Sequence, residues 1–569
     1  MSMARGRAPR RRSTLPPVLR DWRAGAGLLA LVVAVVVAIV ALGGGGSDDG
    51  PPATAAARLA PADALAYVHV STDGERGGVQ RALAAARRMG IEQTLRDQLS
   101  GLLGSGSGAA PVDFERDVRP WLGDEAALAL TRGSGGTAGS LLLLSMTDEA
   151  GARDFLSRTA GPARRSAYRG TATASYGNGT VSAFVDGFLA IGQSDTVRGA
   201  IERADGGDDG PASGDGDAQG GVVGSLADDP TYQRATADQP DGRVLDAYAS
   251  VEGVRLLLAP QGGPLGLVGA LLDQQGLKAT ALALTAGDRQ ARVQVRAVLD
   301  PRDRREPPTF TPTLTRSVPL NALAYLGFPG LERAAPLLLG LGGLGGSGSG
   351  AAGAAGGAAG ALGGDTATLV REAGRLLASS GVSFTRDVLP LFGSEVAVVV
   401  VDAGRGVPGI ALLARVRDPA ATAAGLRRLE PAVARLFAPA GGAAPAFGDA
   451  KIGGFAARRL RADGGVELDY ALRGDTLALS TSAAALAAVV RPSGAISDNP
   501  DYGAVIPDSQ SKLTSIVFFD LSQLLRLFEP LGLTSDSGLG ADLQRIRAVG
   551  LTSMSGEAQT TAELTFEIS

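Results

Sequence analysis

Cysteine is absent from the chain, and histidine occurs once, at His69. No disulfide, iron–sulfur cluster, haem attachment or thiolate–imidazole zinc site can therefore be built within one copy, and a lipidated cysteine anchor is excluded. The missing thiols do not identify a compartment, but the fold must work without disulfides on the oxidising side of a membrane. Lysine is almost as scarce. Lys278, Lys451 and Lys512 are the only three among 54 basic residues. With 82 Gly and abundant Ala, this bias is the mark of a high-GC genome of the actinobacterial kind and carries no message about nucleic acid. Beyond residue 23 the chain holds 47 basic against 57 acidic residues, a balance that repels phosphate backbones, so no nucleic-acid partner is expected.

Charge is missing altogether from residues 24–42, AGAGLLALVVAVVVAIVAL. As a helix this run spans about 28 Å, close to a bilayer core. Arg5, Arg7, Arg10, Arg11, Arg12, Arg20 and Arg23 precede it, and Asp48 and Asp49 follow. The positive-inside rule places residues 1–23 in the cytoplasm, a single membrane helix at 24–42, and everything later outside the plasma membrane. Trp22 stands where an interfacial aromatic belongs. A cleaved signal peptide is the alternative, because Ala41 and Gly43 leave a small-x-small pattern and RRSTL at 11–15 weakly resembles a twin-arginine signal. Residues 43–57, rich in Gly, Pro and Ala, read as a flexible linker.

The remainder repeats itself. PADALAYV at 61–68 returns as PLNALAYL at 319–326, and FERDVRPWLGDEAA at 114–127 as FTRDVLPLFGSEVA at 384–397, with eight of fourteen positions identical. DDPTY at 228–232 matches DNPDY at 498–502, and GFLAIGQS at 187–194 matches GDTLALST at 474–481. The offsets of 258, 270 and 287 residues change at a Gly/Ala tract from 340 to 364 and at insertions around 431–451 and 205–221. This pattern predicts two tandem homologous repeats, 58–300 and 318–569, joined by a linker at 301–317. Within the first repeat, alternation and capping predict strands at 66–70, 126–130, 140–145, 172–176, 180–186, 188–192 and 244–251, helices at 79–103, 148–159 and 196–204, and a closing hairpin at 279–299. Strands joined by short turns with helices between them argue an α+β fold with largely antiparallel sheets.

At these motifs the chain resembles the bacterial family known as domain of unknown function 3352. The resemblance rests on PADALAYV, on DVRPWLGDEAALAL at 117–130 and on SLADDPTY at 225–232, and it runs through both copies. The second copy departs from it at Leu391 and Ser394, where the first has Trp121 and Asp124. The resemblance implies an anchored envelope protein and transfers no catalytic residue, ligand or cofactor.

Candidate sites carry bland readings beside sharp ones. His69 lies on the same strand face as Tyr67 and is replaced by Gly327 in the second copy, so an ordinary strand residue is the simpler reading than a catalytic base. The duplicated carboxylates Asp117 with Glu125, and Asp387 with Glu395, could serve acid–base chemistry on a glycoside; ion pairs with Arg116 and Arg386, or capping of local turns, explain them with less. Asp205, Asp208, Asp209, Asp215 and Asp217 invite calcium, yet the EF-hand-like start at Asp215 reaches Leu226 where the bidentate Glu belongs. GLGGSG at 343–348 satisfies a dinucleotide pattern only inside low-complexity sequence, and no G-x-S-x-G elbow occurs. No catalytic, cofactor or metal residue is assigned, and no enzyme activity is expected. The expected role is a non-catalytic binding or scaffolding module of the cell envelope, with a protein, lipid or polysaccharide partner; the alternatives are a hydrophobic-ligand carrier and a carboxylate-dependent hydrolase.

Overall fold

A computed structural model of the chain describes residues 50–89, 114–132, 138–177, 179–206, 224–258, 276–300, 302, 307–331, 378, 381–404, 408–438, 442–507, 512–528, 544–556 and 559–569. The run 24–42, the Gly/Ala tract and the GLGGSG segment lie outside these residues, as do Asp208, Asp209, Asp215 and Asp217. Among the described residues no helix is long and apolar enough to cross a membrane. The fold is α+β, with antiparallel strand pairing throughout and helices between the strands.

Two compact units emerge from the contacts. The first, 53–74 with 92–229, holds seven strands: β1 (Ala66–Ser71), β2 (Leu122–Arg132), β3 (Ala138–Met146), β4 (Ala163–Tyr168), β5 (Thr171–Tyr176), β6 (Val181–Val185) and β7 (Phe188–Gly192). Their spatial order is β1, β2, β3, β7, β6, β5, β4. Asp186 and Gly187 both take positive φ, 45° and 78°, which lets a two-residue turn follow the strand twist between β6 and β7. The helix Glu149–Thr159 is capped by Asp148, whose carboxylate accepts the Ala150 amide, and it lays Ala152, Phe155 and Leu156 against Val118 and Trp121.

Among the described residues the second unit, mainly 230–569, holds the other thirteen strands. These are β8 (Arg243–Ser250), β9 (Leu277–Ala286), β10 (Gln290–Leu299), β11 (Ala324–Phe328), β12 (Val396–Asp402), β13 (Pro408–Arg415), β14 (Gly448–Ile452), β15 (Phe455–Arg461), β16 (Glu467–Arg473), β17 (Thr476–Ser480), β18 (Leu513–Asp520), β19 (Ile546–Ser555) and β20 (Gln559–Ile568). They run in the order β8, β9, β10, β20, β19, β18, β11, β12, β13, β17, β16, β15, β14. The main core joins alternate residues of the central strands, such as Val399, Leu413 and Phe518, to the helices Ala483–Val490 and Pro500–Val505. The unit also takes in the last three strands of the first sequence repeat, β8 to β10.

Several boundaries differ from the sequence reading. Residues 55–57, read as the end of a flexible linker 43–57, form a 3-10 turn, Ala55–Arg58, with Ala56 and Ala57 buried. The supposed linker 301–317 is likewise ordered at its end: Phe310 bridges to Leu513, and Leu314–Ser317 forms another such turn. Both are held by distant carboxylates that no local pattern announces. The helix expected at 79–103 is described over Gly77–Arg88, and residues 90–113 lie outside the described set. Strand β4, ARRSAY, is exposed on both faces and lacks the apolar alternation by which strands are recognised.

Candidate functional site

The repeated cassette FxRDVxPxxGxE places its two carboxylates in different roles. Glu125 is buried in β2. Its carboxylate accepts the amides of Ala55 and Ala56 at 2.9 and 3.2 Å, and His69 Nε2 lies 3.4 Å away. Glu395, equally buried, accepts the amides of Thr313 and Leu314 at 2.9 Å and the Thr313 hydroxyl at 2.5 Å. Each glutamate thus satisfies the orphan donors that open a 3-10 turn some seventy to eighty residues earlier, Ala55–Arg58 for Glu125 and Leu314–Ser317 for Glu395. Bonds from backbone amides to a buried carboxylate are charge-assisted, and they tie the start of each copy to its second strand.

The aspartates pair with arginine. Asp117 is buried and lies 3.0 Å from Arg116 and 3.1 Å from Arg158. Asp387 is more open; hydrogen bonds from Arg386 and from the Ser383 amide hold its carboxyl below the usual carboxylate range. Asp124, beside Glu125, is shifted the other way, by burial and then by the negative charges of Asp73 and Glu125. The ion pairs weighed from sequence describe the aspartates, whereas the glutamates hold distant turns and not the local ones expected, and every one of the four cassette carboxylates is occupied by a protein partner.

His69 is 1% exposed on β1, beside the Glu125 clamp. Its counterpart Gly327 has no room for a side chain, since a Cβ there would come within 2.6 Å of Ile516 Cγ2 and 2.7 Å of the Tyr325 hydroxyl. Where an imidazole lies near Glu125, the Thr313 hydroxyl donates to Glu395; Tyr325 is buried as Tyr67 is, and burial pushes its phenol well above the ordinary pKa, with Tyr502 and Glu395 adding to the shift. Asp205 ends the helix Ser194–Ala204 as its C-cap. Among the described residues no three His, Asp or Glu side chains gather in a metal-holding group.

Sequence reasoning missed a basic cavity. Arg316, Arg415 and Arg473 line a space of about 480 Å³ between the turn Leu314–Ser317, the ends of β13 and β17, and the last residues of the helix Ala483–Val490. Arginine is so common in this chain that three of them, 157 positions apart at the extremes, gave no signal. One trace was available: Arg316 stands at the same offset of 258 from Arg58 as PLNALAYL does from PADALAYV.

Comparison with known proteins gives a family and little beyond it. No curated protein matches the chain. Among solved structures, crystal form I of TP0453 is 14% identical with a TM-score of 0.24, covering 43% of this chain and 79% of that one. Form III of the same protein is 14% identical with a TM-score of 0.25, over 42% and 78%. The family described as "Protein of unknown function (DUF3352)" matches residues 24–327, from the uncharged N-terminal run into β11. With more than half of its length inside that match, the chain belongs to the DUF3352 family.

Proposed function

We propose that the protein is a membrane-anchored, extracytoplasmic binding module made of two copies of one α+β unit. The run 24–42 supplies the anchor, and the arginines before it fix the orientation. The observation that carries the non-catalytic reading is the commitment of Glu125 and Glu395 to backbone amides, which occupies the oxygens of the most suggestive duplicated carboxylates inside the fold. Their aspartate neighbours are spent on arginine.

Strand register supports the duplication. Ala66 faces Leu130 as Ala324 faces Val400, and Ala126 faces Leu144 as Val396 faces Ala414. Leu141 faces Gly192 as Ala411 faces Ser480, which makes the later step 288 residues, one more than the sequence match suggests. The closing hairpins keep a single offset of 269, because Ala286 faces Ala291 as Ser555 faces Thr560. At that offset the counterpart of Gln294 is Glu563, and these two residues face each other where β10 pairs with β20. A strand that meets its own counterpart at the self-equivalent position has the register of a two-fold interface.

The location is tested by fusing reporters to the C-terminus: an enzyme that matures only outside the cytoplasm should be active, and fluorescence confined to a cytosolic reporter would refute the anchor. Crosslinking in intact cells should then recover a reproducible envelope partner. For the duplication, a Gln294→Cys/Glu563→Cys double variant should form an intrachain disulfide, since facing residues of antiparallel strands lie about 4.5–5.5 Å apart at Cα. The chain has no other cysteine to confuse the result.

A second reading, a carrier of hydrophobic ligands, draws on one row of the second unit. Leu245, Leu284, Val293, Leu564, Leu551 and Val517 face one another in sequence across six strands, and all six are only partly buried. Lipid retained by the purified chain through detergent exchange, read by mass spectrometry, would favour this reading; its absence would remove it.

A further inference from the structure

The arginine-lined cavity of the second unit has a composition that folding alone does not require. Arg415 is committed, with hydrogen bonds to Asp475 at 2.5 Å, Thr313 Oγ1 at 2.9 Å and Thr476 Oγ1 at 3.1 Å. Arg473 donates to the Val490 carbonyl at 3.0 Å and lies 5.5 Å over the Phe455 ring. Arg316 is different: it is exposed and has no hydrogen bond or ion pair to a described residue. Its backbone is nevertheless fixed, because it stands on the turn whose first amide Glu395 holds. An arginine on a pre-ordered turn loses less freedom on closing over a ligand than one on a loose loop.

The first copy repeats the device. Glu125 clamps the turn Ala55–Arg58, and Arg58 occupies the place of Arg316, exposed and likewise without a described partner. The clamp needs only the glutamate and two amides, so the exposed arginine at the end of each turn has no part in the clamp itself. This comparison rests on the duplication proposed above; the cavity itself does not.

We propose that the cavity bounded by Arg316, Arg415 and Arg473 binds a phosphate-bearing ligand, with Arg316 closing on the anion. Three guanidinium groups meet Asp475 in the lining and Glu395 behind the Thr313 hydroxyl, which leaves a net positive charge for a phosphate to neutralise. The Ser317 and Thr476 side chains, also in the lining, add hydroxyl groups, and about 480 Å³ accommodates a phosphate with a glycerol- or sugar-sized substituent. A free phosphate ester and the headgroup of an anionic membrane lipid share this chemistry.

The test uses the full chain in phosphatidylcholine nanodiscs, titrated calorimetrically with glycerol phosphate. Saturable binding is expected, weakened at least tenfold by Arg316→Ala, with the unfolding midpoint unchanged. Asp475→Asn, which releases Arg415 from its internal carboxylate, should tighten binding several-fold. Repeating the titration in phosphatidylglycerol nanodiscs separates the sources: competition assigns the site to a lipid headgroup, and undiminished affinity assigns it to a soluble ester. Absence of glycerol phosphate binding, or binding unmoved by both substitutions, overturns the proposal, and neither result bears on the location read by the C-terminal reporters.

Discussion

The two cassettes, 114–125 and 384–395, share the residues F, R, D, V, P, G and E and are anchored differently. In the first, Trp121 is 2% exposed, donates its indole N–H to the Asp117 carbonyl at 2.8 Å and packs 5.5 Å from Phe155. In the second, Leu391 stands at that position, half-buried, against Gly425, where a Cβ would come within 2.4 Å of Leu391 Cδ2. The backbone responds. Phe114–Asp117 is an α-helical turn, whereas Phe384–Val388 winds as a π turn before a 3-10 turn at Leu389–Leu391. What the copies keep in common is the glutamate clamp; what covers the cassette is set by one large or one medium side chain.

The largest expected effect follows from that difference. Trp121→Ala should destabilise the first unit by about 3–5 kcal/mol, since it empties a closed site and removes an indole hydrogen bond. Leu391→Ala should cost the second unit about 2 kcal/mol, the lower end for an aliphatic truncation, because solvent already reaches it. Denaturant unfolding, followed by hydrogen exchange within each unit, reads both losses. Equal costs would show that the indole is not what anchors the first cassette.

The clamps come next. Glu395→Gln replaces a buried acceptor of two amides and a hydroxyl with a group that presents its own N–H atoms to them, at a cost of about 2 kcal/mol. Exchange of the Leu314 amide should quicken roughly thirty-fold. Glu125→Gln should loosen the Ala55 and Ala56 amides in the same way, with the additional loss of its contact to His69. If amides 313–314 exchanged as before in the Glu395→Gln variant, the glutamate would not be their anchor. A smaller, steric effect belongs to Gly327→Ala, about 1 kcal/mol, the low end for an added methyl, because it meets the ends of the Ile516 and Tyr325 side chains in a packed strand. A neutral outcome would mean that the strand can shift to admit it, and that His69 in the first copy needs no special room.

Much of this architecture was legible in sequence because it depends on local pattern. Strand β1 follows from a short apolar run, the hairpin of β9 and β10 from alternation, and the helix Glu149–Thr159 from an aspartate cap. The clamps were not legible: Glu125 reaches Ala55 across 70 residues, and nothing in AAAR marks it as a turn awaiting a carboxylate. For the same reason residues 55–57 and 310–317, read as linker, are more ordered than their sequence suggests. The basic cavity was hidden by composition, since its arginines lie on separate elements of a chain in which arginine is the default cation. Strand β4 escaped because a solvated edge ribbon shows no burial pattern.

The mildest way to separate the cassettes is by acid. Asp387 is held below the ordinary carboxylate range by the Arg386 guanidinium first and the Ser383 amide second. A carboxyl whose folded pKa is depressed stabilises the fold at pH above its unfolded value, about 3.9, and that contribution fades as pH falls through the folded value. Asp387→Asn should therefore lower the second unit's stability slightly at neutral pH, the loss being small because the pair is exposed to solvent, and should rejoin the parent's curve as pH falls below about 4 and the parent's own carboxyl is protonated. Asp117→Asn should act at neutral pH as well, since it strips a buried partner from Arg116 and Arg158 at once. Unfolding midpoints of the three proteins between pH 2 and 7 decide the matter. Identical curves for Asp387→Asn and the parent would show that the surface pair contributes nothing, and that the two cassettes differ only in what lies beneath them.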